Sequence, residues 1–352
     1  MHSAERDPGP VSYRPLFPEA ADQGDPYLLA IPPGVPAAYR YYVYVTRDET
    51  SDGRGGTASA GAFPAFASHD LATWTPLGPS LEGDATRHAF WAPCVGYVPG
   101  LPRPYVMLYS HGAGIGEQAH IGHQIRRADA ERPEGPFVDS GHVLTPGTDF
   151  AIDADVYPGP DGAPRMAYAT DFVDGEPFGT GITEVVVSDD LTRVLSSPTL
   201  LARPSEEWHL FDGARRMPWK RIPGVDWRTS TVRWSTVEGP VGGLVNPQGR
   251  RVYLYSGGCY FGFYAVGALV EDEAGRLVNV TRDDGRGFVL RSMPEHGFHA
   301  PGHCSWFRAA DGREWLVTHA RFGSETAPRN FCLVELRWSD EGLPYCPPPT
   351  DI

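Results

Sequence analysis

The feature that most limits what this chain can fold into is an order of residues repeated five times. A polar or aromatic head is followed by an apolar strand, a Gly-containing turn and a second strand rich in Tyr and Val. The heads are Asp25, Trp91, Asp153, Glu238 and His303, and the second strands fall near 41–45, 105–109, 166–168, 252–256 and 315–318. Subtracting successive head positions gives spacings of about 66, 62, 85 and 65 residues, and self-similarity at a near-constant spacing marks a propeller or an array. Each unit continues into further strand-like segments, such as 64–68 before Trp74 and 263–268 before Val278. Four short antiparallel strands make a propeller blade, and the innermost strands line a central channel. The expected fold is therefore an all-β, five-bladed β-propeller with four antiparallel strands per blade, its five heads converging on an active site at one end of the channel.

All-β domains often exceed the usual domain length, so one propeller is read over 25–340, between an N-terminal arm (1–24) and a C-terminal tail (341–352). The 41 Gly and 35 Pro suit a chain of many tight turns, and 41% hydrophobic residues can supply a core. A formal charge of −14 argues against nucleic acid, whose binding depends on Lys and Arg neutralising phosphates. The five cysteines lack C-x-x-C spacing, so neither a zinc site nor a disulfide framework is indicated. No apolar run approaches a membrane span and the start lacks an apolar signal region. The expectation is a cytoplasmic protein with no membrane partner, secretion remaining open had the start been processed.

The heads differ in chemistry. Asp25 precedes Pro26, which cannot donate to a ladder and biases the residue before it to an extended conformation, fixing Asp25 at a strand start. Trp91, in Phe90-Trp91-Ala92-Pro93, either packs in the core or offers a flat face of the kind on which sugar C–H groups stack. Asp153 and Asp155 share one side of a regular strand; the distance from Asp153 to the following turn resembles that of the other heads. Glu238 stands before Gly239-Pro240, held by stiff backbone with little bulk beside it, and His303 follows Pro301-Gly302, directed into the channel. The longest spacing contains an insertion, 204–230, with Trp208, Phe211, Trp219, Trp227 and the only lysine, Lys220. It either shapes a cleft or covers the side of a blade or a subunit contact.

Three other motifs read as structural. Ser68-His69-Asp70 is a turn, since triad members come from distant positions rather than adjacent ones. In the tract from His111 to His123, positions three apart on a strand face opposite sides, so His120 and His123 are poorly placed to share an ion. Glu134, in a second Glu-Gly-Pro, reads as a solvated turn near an outer strand.

Acids gathered in one narrow mouth push one another's pKa values apart, which is how active sites are built. Glycoside hydrolysis needs such a set: one carboxylic acid protonates the leaving oxygen while a carboxylate activates water or attacks the sugar. Heads on blades one and four of five lie across the channel, favouring the gap of about 6.5–9.5 Å that leaves room for water and inverts configuration.

Asp25-Pro26, Trp91-Ala92-Pro93, Ile152-Asp153, Glu238-Gly239-Pro240 and Gly302-His303-Cys304-Ser305 together resemble glycoside hydrolase family 43, in order and over almost the whole chain. Ser68-His69-Asp70-Leu71 with Trp74, and Pro133 to Phe137, are similar to that family's outer-strand signatures. The resemblance implies Asp25 as general base, Glu238 as general acid, Asp153 as the residue that orients the acid and tunes its pKa, and Trp91 as a wall of the sugar pocket. It also implies that His303 lies near a structural calcium in the channel or its waters, with no cofactor required for the chemistry. Phe90, Ile152, Tyr260 and Arg329 complete the candidate substrate-binding set with Trp91 and His303. Ala154 and Cys304 depart from the residues commoner in the family at those places. The partner implied is an oligosaccharide or small glycoside. The expected enzyme is an inverting exo-acting α-L-arabinofuranosidase, with β-D-xylosidase and β-D-galactofuranosidase as relatives of the same family and a non-catalytic carbohydrate-binding propeller as the rival class. An invertase-type propeller would place Arg-Asp-Pro inside the fold, whereas here Arg6-Asp7-Pro8 lies in the arm.

Overall fold

The computed structural model describes residues 13–18, 22–47, 61–82, 89–112, 121–218, 220–226 and 229–349. Its strands form five blades. Blade I holds β1 (Gly24–Ala30), β2 (Tyr41–Thr46), β3 (Gly61–Ser68) and β4 (Thr75–Glu82). Blade II holds β5 (Phe90–Tyr97), β6 (Tyr105–His111), β7 (Gln124–Ala130) and β8 (Val138–Val143). Blade III holds β9 (Ala151–Pro158), β10 (Pro164–Phe172), β11 (Gly179–Val186) and β12 (Thr199–Ala202). After β13 (Leu210–Arg215), blade IV holds β14 (Val232–Val245), β15 (Arg251–Gly258), β16 (Tyr264–Glu271) and β17 (Leu277–Asn279). Blade V holds β18 (Phe298–Arg308), β19 (Glu314–Phe322), β20 (Arg329–Trp338) and β21 (Pro344–Tyr345). Strands pair antiparallel in chain order within every blade.

The core is a ring of seams, because a blade in the middle of a propeller buries both faces and its inner strands lose the polar side of a half-exposed sheet. Every residue of β2 is buried. Tyr42, Tyr44 and Phe63 of blade I meet Val95, Met107 and Tyr109 of blade II. Val106, Leu108 and Ile125 of blade II meet Met166, Tyr168 and Val185 of blade III. Val237, Tyr253 and Leu269 of blade IV pack on Tyr157 and Ile182 of blade III. Leu254 and Val266 of blade IV meet Leu316, Cys332 and Val334 of blade V. Val43, Val45 and Phe66 close the ring against Trp315, Val317 and Phe331. Since each blade is made of consecutive strands, closure rests on this last seam and a few backbone bonds. The Gln23 N–H donates to the Arg329 carbonyl at 2.8 Å, and Leu28 N–H to Ser305 Oγ at 3.0 Å.

Both ends of the propeller extend past the boundaries read from sequence. Asp22 and Gln23, placed in the arm, are buried against blade V. Pro344–Tyr345, placed in the tail, is the fourth strand of blade V, pairing Arg337 with Tyr345 and Trp338 with Pro344. An uncovered β20 would leave a row of ladder groups unpaired at a sheet edge. Glu134 is also not a solvated turn: it is partly buried and accepts the Tyr42 hydroxyl of blade I at 2.8 Å. Ser68–Thr73 is a side-chain-stabilised turn, with the Asp70 carboxylate accepting Ala72 and Thr73 N–H groups.

Candidate active site

Each innermost strand breaks its pleat at its head. Asp25 (φ 49°), Ala92 (φ 49°), Asp153 (φ 61°), Gly239 (φ 54°) and His303 (φ 43°) all adopt left-handed backbone, and the pairing of each inner strand shifts register at the same place. A bulge of this kind re-aims side chains away from strict alternation. The freed N–H groups are caught by the preceding blade. Ala92 N–H donates to Thr46 Oγ1 (2.8 Å), Asp153 N–H to Ser110 Oγ (3.1 Å) and His303 N–H to Ser256 Oγ (2.7 Å). Asp25 N–H donates across the closing seam to His319 Nδ1 at 3.1 Å.

The bulge separates the two aspartates that alternation leaves on one side. Asp153 turns to the mouth, where Oδ2 accepts the Gly239 N–H at 3.0 Å and lies 3.9 Å from His303 Nδ1. Asp155 turns into the channel wall, where its carboxylate accepts Gly242 N–H (2.7 Å) and the Tyr27 hydroxyl (3.3 Å). Burial pushes Asp155 up to about 6, partly opposed by the Gly242 N–H.

Asp25, Asp153 and Glu238 meet around His303. The His303 Nδ1 is 3.4 Å from Asp25 Oδ1, and the charges of Asp25 and Glu238 both act on Asp153. Burial above all, then Glu238 and Asp25, holds Asp153 well above the usual carboxylate range. Glu238 is partly buried, and its Oε1 accepts the Tyr264 hydroxyl at 2.8 Å. Burial pushes its carboxyl up to about 7; Asp25 adds to that rise, while the Tyr264 hydrogen bond, Arg215 and Arg329 oppose it. Gly302 makes this contact: a Cβ there would come within 2.2 Å of the Tyr264 ring.

Asp25 has a different setting. Its Oδ1 lies 3.5 Å from Arg329 Nη1 and 3.6 Å from His319 Nδ1. Arg329 is buried and clamped by Asp22, whose carboxylate takes Nε at 3.0 Å and Nη2 at 2.5 Å. Since His319 Nδ1 accepts the Asp25 N–H, the ring proton is assigned to Nε2. Burial, then the charge of Arg329, keeps His319 well below its ordinary pKa and so neutral; burial likewise lowers His303.

The remaining candidates are spread more widely. Trp91 is partly buried and stacks on His123, with ring centroids 4.0 Å apart; Ile152 is buried beside Asp153. Phe90 packs into the seam of blades I and II, its ring 4.9 Å from that of His111 and 5.9 Å from Tyr109. Tyr260, in the turn joining β15 to β16, lies under the Arg329 guanidinium at 5.2 Å. Tyr264, His319 and Asp22 carry no signal in the sequence, because each acts through a partner brought in from another strand.

The insertion covers the side of blade IV and reaches Tyr260. Trp208 stacks on Tyr255 (5.8 Å) and covers Gly257 of β15. β13 pairs with the start of β14 and turns Phe211 towards Tyr260, ring to ring 6.5 Å. Lys220 is anchored to Asp171 at 2.9 Å, both nearly buried. Trp219, Trp227 and His120 lie outside the described residues.

Calcium prefers six to eight oxygen ligands. Among the described residues no group of three or more His, Cys, Asp or Glu side chains is placed to hold a metal ion.

Three carboxylates at one end of a five-bladed channel, Glu238 pushed up to about 7 and Asp153 also raised, define an acid/base site of the glycosidase kind. Glycosyl hydrolases family 43 matches residues 32–344, and the chain belongs to that family; it is a glycoside hydrolase acting on a sugar substrate, with chemistry that needs no cofactor. The matched span begins after Asp25, whose place therefore rests on the geometry above. No curated protein matches the chain. Among solved structures, it is similar to a thermostable family-43 glycoside hydrolase at 23% identity and TM-score 0.68, covering 95% of this chain and 96% of that one. An endo-1,4-beta-xylanase from Bacteroides thetaiotaomicron gives 23% and 0.64, covering 93% and 94%. An endo-arabinase from the same organism gives 18% and 0.65, covering 93% and 97%.

Proposed function

We propose that this protein is an inverting, exo-acting α-L-arabinofuranosidase that releases arabinose from oligosaccharides or side chains. Asp25 takes the proton from a water that attacks the anomeric carbon; Glu238 gives its proton to the glycosidic oxygen as the C–O bond breaks. Asp153 positions the acid through the Gly239 N–H and adds negative charge beside it whenever it is ionised.

The observation that carries this reading is the unlike setting of two carboxylates at the inner-strand breaks of blades I and IV. Glu238 is held protonated by burial to about 7, whereas Asp25 faces the fixed charge of Arg329 at 3.5 Å. Similar folds carry names that span arabinan and xylan, so β-D-xyloside and β-D-galactofuranoside belong in the same test.

Wild-type protein is assayed on 4-nitrophenyl α-L-arabinofuranoside, β-D-xyloside and β-D-galactofuranoside, and on arabino-oligosaccharides. Fastest release from the arabinofuranoside, with monosaccharide as the sole early product, is the expected result. Turnover of none of them returns the chain to a sugar-binding role. Proton NMR of the first product tests stereochemistry: the opposite anomer is expected, and a retained one removes Asp25 as a base acting on water.

A further inference from the structure

The stretch Arg215-Arg216-Met217-Pro218-Trp219-Lys220-Arg221 carries four cations and no acid within a chain of net charge −14. Lys220 is taken by Asp171, and Arg216 and Arg221 have partners of their own. Arg215 differs: among the described residues it forms no ion pair and no side-chain hydrogen bond. Its guanidinium is instead held over the Phe211 ring at 4.7 Å and near the Trp234 ring at 5.7 Å. A partly buried arginine held against aromatics with its N–H groups uncommitted is pre-organised for a planar anion.

Its place in the site is fixed by a chain of stacked groups. Phe211 is 6.5 Å from the Tyr260 ring, Tyr260 lies 5.2 Å under Arg329, and Arg329 Nη1 is 3.5 Å from Asp25. Arg215 thus stands at the outer end of an arch that begins at the floor. The acids that act most on it are Asp171, Asp212 and Glu238, with neither Asp25 nor Asp153 among them. Of the three site acids it is Glu238, the proposed proton donor to the departing group, whose charge acts most on it. Next to it Phe261, 62% exposed, packs on Tyr260 with centroids 4.0 Å apart. An aromatic left open at a cleft rim is a stacking surface for a sugar ring.

We propose that the leaving-group side of the cleft binds a hexuronate, its ring lying on Tyr260 and Phe261 and its carboxylate taken by the Arg215 guanidinium. The inference rests on the hydrolase reading and narrows it to acidic glycans: the sugar is removed from a uronate-bearing acceptor. Arg329 cannot serve this purpose because Asp22 already occupies its fork.

The test uses disaccharides in which the released sugar is linked to methyl galacturonoside or methyl glucuronoside, each as free acid and as 6-methyl ester. The wild type is expected to favour at least one acid over its ester by about tenfold or more in kcat/KM, the ratio one hydrogen bond to a charged group supplies. Arg215→Gln should bring that ratio to within about threefold, and Arg215→Lys should keep part of it. The ratio compares two substrates on one protein, so a partly unfolded variant does not imitate the effect. Equal rates on acid and ester in the wild type, or an unchanged preference in Arg215→Gln, overturns the proposal. Calorimetry with the same four ligands on Asp25→Asn reads the preference as a ratio of Kd values without turnover. Failure of the hydrolytic roles is thereby separated from failure of the uronate site: selective binding without hydrolysis supports the site, and unselective binding sinks it.

Discussion

Asp25 and Glu238 both stand at the break in an innermost strand, Asp25 on the left-handed residue of blade I and Glu238 on the residue just before that of blade IV, yet their surroundings are opposite. Asp25 faces a buried arginine at 3.5 Å and two histidines. Glu238 faces a phenol and is otherwise desolvated, its carboxyl pushed up to about 7. Adjacent positions of one repeated break therefore place two carboxylates in unlike settings, as the proposed roles of base and acid require. What differs is the second layer: Arg329 and Asp22 behind one, Tyr264 and Gly302 behind the other.

The largest expected effect breaks the comparison outright. Asp25→Asn and Glu238→Gln should each lower kcat by about 10²–10⁴-fold. They should differ on aryl glycosides of rising leaving-group acidity: a good leaving group needs no proton, so Glu238→Gln recovers and Asp25→Asn does not. Equal recovery in both would leave the two roles unassigned. Next comes the pair on β9. Asp153→Asn should cost about 10²-fold by loosening the Gly239 contact that aims the acid, while Asp155→Asn, facing Tyr27 and Gly242 in the channel wall, should stay within about tenfold of wild type. A reversal of that order in kcat would hand the positioning role to Asp155.

A smaller effect sharpens the acid side. Glu238 must be protonated to act, so kcat/KM should fall as pH rises through about 7. The Tyr264 hydroxyl favours the ionised carboxylate, so Tyr264→Phe raises the Glu238 pKa and should move the alkaline limb up by about one unit. A limb that moved down would show that the hydroxyl stabilises the neutral acid instead. Arg215→Gln removes a charge that also lowers the Glu238 pKa, and a smaller upward shift of the same limb is expected from it.

Several parts of the site are legible along the chain. Asp25-Pro26, Ile152-Asp153 and Glu238-Gly239-Pro240 mark strand heads, because proline and glycine next to a carboxylate restrict the backbone locally. The choice of Asp153 over Asp155 is less so: period-two alternation keeps them together, and only the positive φ at Asp153 parts them. Tyr264 carries no local signal, since an aromatic in a β-strand is ordinary core. His319 is equally silent: it does for Asp25 what Thr46, Ser110 and Ser256 do for the other bulges, and its donor is 294 residues away. The cation-rich run in the insertion was visible, but not that Arg215 is the member left uncommitted.

Repetition and turn chemistry are local properties, set by neighbours within a few residues, and for that reason the five blades, their order and the three acids could be read from the amino acids alone. Which acid stays protonated, which arginine is clamped and which remains open depend on burial and on charges brought in from other blades. Those are decided only when the ring closes, because desolvation and Coulomb interaction act through space and take no account of distance along the chain.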